Sequence, residues 1–306
     1  MIVHPAGKFD NHAKRYAHIE ARPLAAAMGA EICGVEPAKL SNAQFAEIRD
    51  ALFRHKMIYF RNQEIGRSDH EAFSLRFGPF AEDAYTHGIE GHSNVQPVIK
   101  EADAKTGMVF GSGWHTDSPF LAHPPAISML YAVEVPPFGG DTIWANTVLA
   151  YAMLSETMQR MLAGLRVHMS MARVLESAQE YGRVDDSAVG RLAALRGAAL
   201  PDDIVRKVQG TTHPLVRTHP VSGEKSLYCD GSYAVGIEGL TEPESEALLK
   251  FLVAHMTQPA FTCRLRWEAK TFVLWDNRIC IHQAFNDYDG YRREMYRTTV
   301  AGEVPA

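Results

Sequence analysis

Short runs rich in β-branched and aromatic residues recur along most of this chain, set apart by glycine and proline turns, and they restrict it to a fold built mainly from short strands. The runs are "MIYFR" (57–61), "VQPVIK" (95–100), "ISMLYAVEV" (127–135), "DTIWA" (141–145), "SLYC" (226–229), "FTCRLRW" (261–267), "TFVLWD" (271–276) and "REMYRTTVA" (293–301). Pro136-Pro137, Gly139-Gly140 and Ser222-Gly223 punctuate them. Helices are expected near 42–77, 147–163 and 241–256. Three of their starts have the spacing of a capping box: Ser41 with Gln44, Ser68 with Glu71, and Thr241 with Glu244. The fold class expected is mainly β with flanking helices, a jelly roll or β-sandwich with helices packed outside.

At 306 residues the chain is long for an average domain, but an all-β domain with appended helices reaches this size undivided. No repeat or composition shift marks a boundary, so one domain over 1–306 is expected. Its polar, Arg- and Ala-rich stretch 173–211 reads as a lid or excursion. A hydrophobic fraction of 46% against 22% charged residues argues for a substantial core and against disorder.

The net charge of −5 gives no reason to expect nucleic acid as a partner. No apolar run approaches the roughly 20 residues of a membrane span, and "MIVHPAGKFDNHAKRY" has no apolar segment of the secretory kind. A cytoplasmic protein with no membrane partner is expected, in the form of a homo-oligomer. Cys33, Cys229, Cys263 and Cys280 are far apart in sequence and read as reduced thiols.

The chemistry concentrates in "GSGWHTDSPF" (111–120). On an extended segment residues i and i+2 share a face, so His115 and Asp117 can aim an imidazole nitrogen and a carboxylate oxygen at one point. With one more histidine they would make the two-His, one-carboxylate face of non-heme Fe(II) oxygenases. Spacing alone is weak evidence in a chain with 14 histidines, because His18-Ile19-Glu20 has the same pattern and a satisfied core histidine is as good a reading.

Other stretches supply what such a site needs. "FGGDTIW" (138–144) delivers Thr142, whose hydroxyl could donate to a carboxylate, onto a strand, and "WDNRICIHQAF" (275–285) places His282 after a hydrophobic strand and a tight turn. In "YRREMYRTTV" (291–300), Arg293, Met295 and Arg297 fall on one strand face. Paired buried guanidiniums call for carboxylates, either a ligand's or internal ones such as Asp276 or Glu294.

Taken together and in this order, "WHTDSPF", "PPFGGDTIW", "HPLVRTHPVSGEKSLY", "WDNRICIHQAFNDY" and "RREMYRTTV" resemble the taurine dioxygenase / 2,4-dichlorophenoxyacetate dioxygenase family of Fe(II)/2-oxoglutarate-dependent enzymes. The resemblance runs from about residue 22 to about residue 302, through "GAEICGVE" and "HKMIYFRNQEI". It implies a double-stranded β-helix, a cupin-like jelly roll, with helices against one side. It further implies that His115, Asp117 and His282 are the iron ligands. Thr142 and Arg293 would anchor the distal carboxylate of 2-oxoglutarate, and Arg297 would lie beside the cosubstrate or contact the substrate's acid group. His18 and Glu20 match nothing in the family pattern.

The resemblance implies hydroxylation of an unactivated C–H bond in a small organic acid, coupled to conversion of 2-oxoglutarate and O2 to succinate and CO2. Where the hydroxylated carbon carries a heteroatom, C–O or C–S cleavage would follow. By position in relatives, Asp83, Phe110, Gly111, Ser118, Tyr233 and Arg297 are the substrate-side candidates. Taurine-using relatives hold the sulfonate with a histidine where this chain has Asp83, and like charge there would oppose the anion. A phenoxyalkanoate-like substrate is therefore favoured over taurine or another alkylsulfonate, although phenoxypropionate-using relatives have an apolar residue at that position. Two rival readings are a non-catalytic ligand-binding jelly roll and a zinc hydrolase on the same triad; the second gives Thr142 and the paired arginines no role.

Overall fold

The structure, a computed structural model, describes residues 7–82, 88–104, 111–185 and 187–306. Its largest sheet has seven strands in the order Glu20–Pro23, Ala30–Cys33, Met57–Phe60, Phe272–Asp276, Ile127–Glu134, Arg293–Val300 and Gln96–Lys100. Only Ala30–Cys33 and Met57–Phe60 pair in parallel; the other ladders of this sheet are antiparallel. A three-stranded sheet, Thr262–Leu265, Thr142–Asn146 and Cys280–Ala284, supplies the second wall. Two smaller sheets complete the β structure. Among the described residues the sheets form no closed barrel.

The period-2 alternation of the central strands explains why both faces of the large sheet are covered. Ile58, Phe60, Met129, Tyr131, Phe272 and Leu274 pack on one side with Ile48, Leu52 and Phe73 of the helices Asn42–His55 and Arg67–Leu75. Met57, Tyr59, Leu130, Ala132, Val273 and Trp275 face the other way and pack with Trp144, Ala145 and Ile281 of the small sheet. Phe60 and Phe272 have no exposed surface, and truncating either to alanine would cost about 3–5 kcal/mol. The candidate site lies on the second side, between the two walls.

The strand runs read from sequence are all present, within a residue or two at their ends. Ser41 and Gln44 form the expected reciprocal cap, at 3.2 and 2.9 Å, and Glu244 reaches back to the Thr241 N–H at 2.8 Å. Ser68 does not cap a helix. That helix begins at Arg67 behind Gly66, whose N–H donates to Asp69 at 3.1 Å, so an acidic residue two positions before Glu71 takes the role. The stretch 173–211 is largely helical, with Ala172–Tyr181, Ala188–Ala193 and Asp202–Gln209. Leu175, Ala178, Val189 and Leu192 anchor it to the core.

The four cysteines are free thiols, three of them buried. No helix of the described residues is long and apolar enough to cross a membrane.

Candidate metal centre

His115 and His282 are paired across antiparallel backbone, with His115 N–H donating to His282 C=O at 2.9 Å and the reverse bond at 2.7 Å. This pairing adds a fourth, single-residue rung to the small sheet and sets the two imidazoles side by side, ring centres 4.1 Å apart. Asp117, two residues on, points to the same place. Its Oδ1 lies 3.8 Å from His115 Nε2 and 4.0 Å from His282 Nε2. One ligand atom from each residue can be chosen so that all lie within 4.8 Å of one another, and all three residues are buried. Close approach of the chain explains the glycines: a Cβ on Gly111, at φ +82°, would sit 3.2 Å from His115 Cε1.

The hydrogen bonds leave this cluster incomplete. His115 Nδ1 lies 2.7 Å from Gly113 C=O, a bond that requires the proton on Nδ1 and turns the Nε2 lone pair toward Asp117. That Nε2 is buried with no partner, as is His282 Nδ1. Burial, reinforced by His115, pushes the His282 imidazole down to about 3, so the ring is neutral and able to act as a ligand. Burial by itself would raise the Asp117 carboxyl, but Arg297, His282, His115 and a hydrogen bond from Ser128 outweigh it and hold the group below the usual carboxylate range. Two imidazoles, one carboxylate and a buried ring nitrogen with no partner between them fit a divalent cation with open positions.

A second incomplete group lies on the strand Arg293–Val300. Arg293 is buried, and its Nε and Nη2 have no hydrogen-bond partner. Burial pushes its pKa down, with Tyr288 opposing. The internal acids that might have neutralised it are engaged elsewhere: Asp276 by Arg278 and His219, Glu294 by Arg292 and Tyr296. The Trp267 ring centre lies 5.7 Å from the guanidinium, and the Trp267 indole N–H donates to Thr142 Oγ1 at 2.9 Å. With its oxygen used as an acceptor, Thr142 keeps a hydroxyl proton to give. Thr142 itself is delivered by the Gly139-Gly140 turn, where both residues have left-handed backbone (φ +71° and +66°) and a Cβ on Gly139 would approach Asp287 C=O to 2.4 Å.

Arg297, on the same strand, is in a different situation. Its Nε donates to Gln96 Oε1 at 2.8 Å and its Nη1 reaches Asp117 Oδ1 at 3.4 Å. It stands against the triad. Gln96 also lines a cleft of about 1260 Å³, walled in part by Phe120, Leu121, Leu192, Ile204 and Thr299; none of the triad residues is in its wall.

Of the other substrate-side candidates, Tyr233 is buried with its ring 6.3 Å from that of His115 and 5.3 Å from that of Phe120. Ser118 is buried at φ +46°, a conformation that costs a non-glycine residue energy and often marks a functional turn. Asp83 and Phe110 lie outside the described residues. His18 is exposed and Glu20 pairs with Arg22, so that H-x-E spacing carries no site. His213 is also structural, its Nε2 2.9 Å from Pro119 C=O and 3.1 Å from Leu121 C=O.

Sequence reasoning missed Ser128, Asn277 and Gln96. The available signal for Ser128 and Gln96 was a polar residue at an inward position of a mostly apolar strand; Asn277 lies in the turn that follows Phe272–Asp276.

The comparisons with known proteins agree with this geometry. The family model described as "Taurine catabolism dioxygenase TauD, TfdA family" matches residues 20–299. The chain is 33% identical to an alpha-ketoglutarate-dependent sulfate ester dioxygenase of Pseudomonas putida, over 94% of this chain and 91% of that protein. It is 31% identical to an (S)-phenoxypropionate/alpha-ketoglutarate-dioxygenase of Sphingobium herbicidovorans, over 92% and 94%. A crystal structure of a taurine dioxygenase from Burkholderia xenovorans superposes with a TM-score of 0.76 at 35% identity, covering 95% of this chain and 91% of that one.

Proposed function

We propose, from the premise that the chain belongs to the taurine catabolism dioxygenase TauD, TfdA family, that it hydroxylates a C–H bond of a small organic anion, at a carbon bearing oxygen or sulfur. The protein is an alpha-ketoglutarate-dependent dioxygenase, with Fe(II), 2-oxoglutarate and O2 as its reactive partners. In balance, one oxygen atom enters the substrate C–H bond and the other enters succinate as 2-oxoglutarate loses CO2. Bound iron supplies the oxidising chemistry, and the chain supplies placement and exclusion of water.

In this reading His115, Asp117 and His282 hold the metal. Arg293 and Thr142 take the distal carboxylate of 2-oxoglutarate through charge-assisted hydrogen bonds in a water-poor pocket. The observation that carries the assignment is the buried Arg293 guanidinium, whose Nε and Nη2 have no hydrogen-bond partner. A buried guanidinium with donors left over calls for an acceptor, and a ligand carboxylate supplies one. Arg297 and Gln96 stand between the triad and the cleft, where the substrate's acid group would meet them.

Apolar walls at Phe120, Leu121 and Leu192 support a phenoxyalkanoate-like body over taurine, whose short polar chain would leave them uncovered. A taurine or alkylsulfonate substrate is the second reading, supported by the likeness to the taurine dioxygenase structure. Sulfate esters enter the comparison through the Pseudomonas relative. We read the two stacked sheets as a double-stranded β-helix in a single domain, and the helices of 173–211 as a lid, because Leu192, Leu195 and Ile204 line the cleft.

Succinate release from the Fe(II) protein, measured with phenoxyalkanoates, alkylsulfonates, taurine and alkyl sulfates, tests this. Phenoxyalkanoates are expected to raise succinate formation most. Faster turnover with taurine would reverse the preference, and no response with any of these anions would remove the substrate class.

A further inference from the structure

Asp117 has two carboxylate oxygens, and only one faces the histidines. Oδ1 is the atom near His115 and His282. Oδ2 is turned away and accepts a short hydrogen bond from the Ser128 hydroxyl. Ser128 lies on the strand Ile127–Glu134, on the face that carries Leu130 and Ala132, and it has no exposed surface. A hydroxyl has one proton, and here its direction is set from behind. Asn277 Nδ2 donates to Ser128 Oγ at 2.8 Å, and the Trp275 indole N–H donates to Asn277 Oδ1 at 2.8 Å. Every bond of this relay therefore runs toward the carboxylate: indole to amide, amide to hydroxyl, hydroxyl to Oδ2. The indole N–H can only donate, which fixes the amide orientation and leaves the serine proton no acceptor in the relay but Asp117.

The same asparagine also sets the backbone of the ligand motif. Asn277 C=O accepts from the Thr116 hydroxyl at 2.8 Å, between His115 and Asp117. Asn277 N–H donates to Ala126 C=O at 2.8 Å, next to the strand that carries Ser128. One turn residue thus holds the ligand pair by its main chain and the carboxylate through a serine.

We propose that Ser128, oriented by Asn277 and Trp275, is a positioning residue that commits Oδ2 of Asp117 and leaves Oδ1 as the oxygen offered to the metal. This rests on reading the triad as the metal site. Without the serine proton the buried carboxylate loses the donor that holds Oδ2 and keeps only the long contact from Arg297 Nη1 to Oδ1, at 3.4 Å, so it is free to turn. Partners of this kind behind a metal ligand typically change affinity 10–100-fold.

The test is a titration of the metal-free full-length protein with Mn(II) for affinity and with Co(II) for the visible ligand-field spectrum, on Ser128→Ala and Ser128→Thr. Wild-type protein is expected to bind one ion at the triad. Ser128→Ala should bind it at least tenfold more weakly with an altered Co(II) spectrum, and Ser128→Thr, which keeps the hydroxyl, should return toward wild type. Wild-type affinity and spectrum in Ser128→Ala would overturn the proposal. Failure of the wild-type protein to bind either ion would instead overturn the metal-site reading. Should Ser128→Ala not fold, Asn277→Ala is read in the same way: several-fold weaker binding supports the relay, and unchanged binding overturns it.

Discussion

Two buried aspartates, Asp117 and Asp276, each keep company with histidine, yet they do opposite things. At Asp276 every acceptor is taken. Oδ1 accepts from the N–H and Nε of Arg278 at 3.0 and 2.8 Å, and Oδ2 accepts from Arg278 Nη2 at 2.6 Å and from His219 Nε2 at 3.0 Å. His219 Nδ1 is occupied in turn by the Ser222 backbone N–H at 3.0 Å. At Asp117 one oxygen is held by Ser128, while the other faces two imidazoles, one of them with an orphaned Nε2. Asn277, the residue after Asp276, reaches Asp117 through Ser128. The difference shows that clustering of histidine and carboxylate does not identify a ligand site; unsatisfied, converging lone pairs do.

The largest effect that would break this contrast is expected at the triad. His282→Ala should weaken Mn(II) or Fe(II) binding by at least three orders of magnitude, about 4 kcal/mol, read by equilibrium dialysis with metal analysis. The metal-free protein should remain folded, because the ring's Nδ1 has no partner to lose. At the saturated centre the outcome should invert. Asp276→Ala strands His219 in the interior, leaves Arg278 only the 3.5 Å pairing with Glu303, and should cost about 3–5 kcal/mol in urea unfolding, with a much smaller change in metal affinity.

Arg293→Leu sharpens the comparison at the second unsatisfied group. It should lower 2-oxoglutarate affinity about a hundredfold, roughly 2–3 kcal/mol, while the ligand-free protein is no less stable than wild type, since an unpaired buried charge has been removed.

The smallest effect is the pH dependence of metal-free stability. His282 and His70 are both pushed down to about 3, by burial above all, against an unfolded value of roughly 6.5. Between these values the unfolded chain binds protons that the folded chain does not. The stability they contribute is present in full above about pH 6.5 and is lost as pH falls toward 3. Urea midpoints that fall steadily over this window would agree; midpoints that rise on acidification would not. The Asp276 carboxylate, held well below its ordinary range chiefly by Arg278 against the opposing effect of burial, adds a further loss only below the unfolded carboxylate range.

The strands were legible because β-branched and aromatic runs between Gly and Pro turns leave few alternatives, and the ligand pair because period-2 spacing on extended backbone is a rigid rule. The helices of 173–211 were not, because their buried positions are small or isolated residues such as Ala178, Val189 and Leu192 among arginines and alanines. The irregular register between Glu294 and Met295 left no local mark, since a bulge is decided by the partner strand. Ser128 was passed over inside "ISMLYAVEV" because a lone serine in an apolar strand more often satisfies a local need than serves a site. The two arginines were recognised as a pair, but spacing did not distinguish Arg293, whose Nε and Nη2 have no hydrogen-bond partner, from Arg297, which contacts Gln96 and Asp117. That difference lies in what faces them across the sheet.

The central claim is that the Asp117 centre and Arg293 together hold Fe(II) and 2-oxoglutarate. Anaerobic titration of the Fe(II)-loaded protein with 2-oxoglutarate, followed by the weak visible charge-transfer absorption of the chelate, tests it most directly. The account predicts a band that saturates at one equivalent; an iron-loaded protein that develops no band at any 2-oxoglutarate concentration would contradict it.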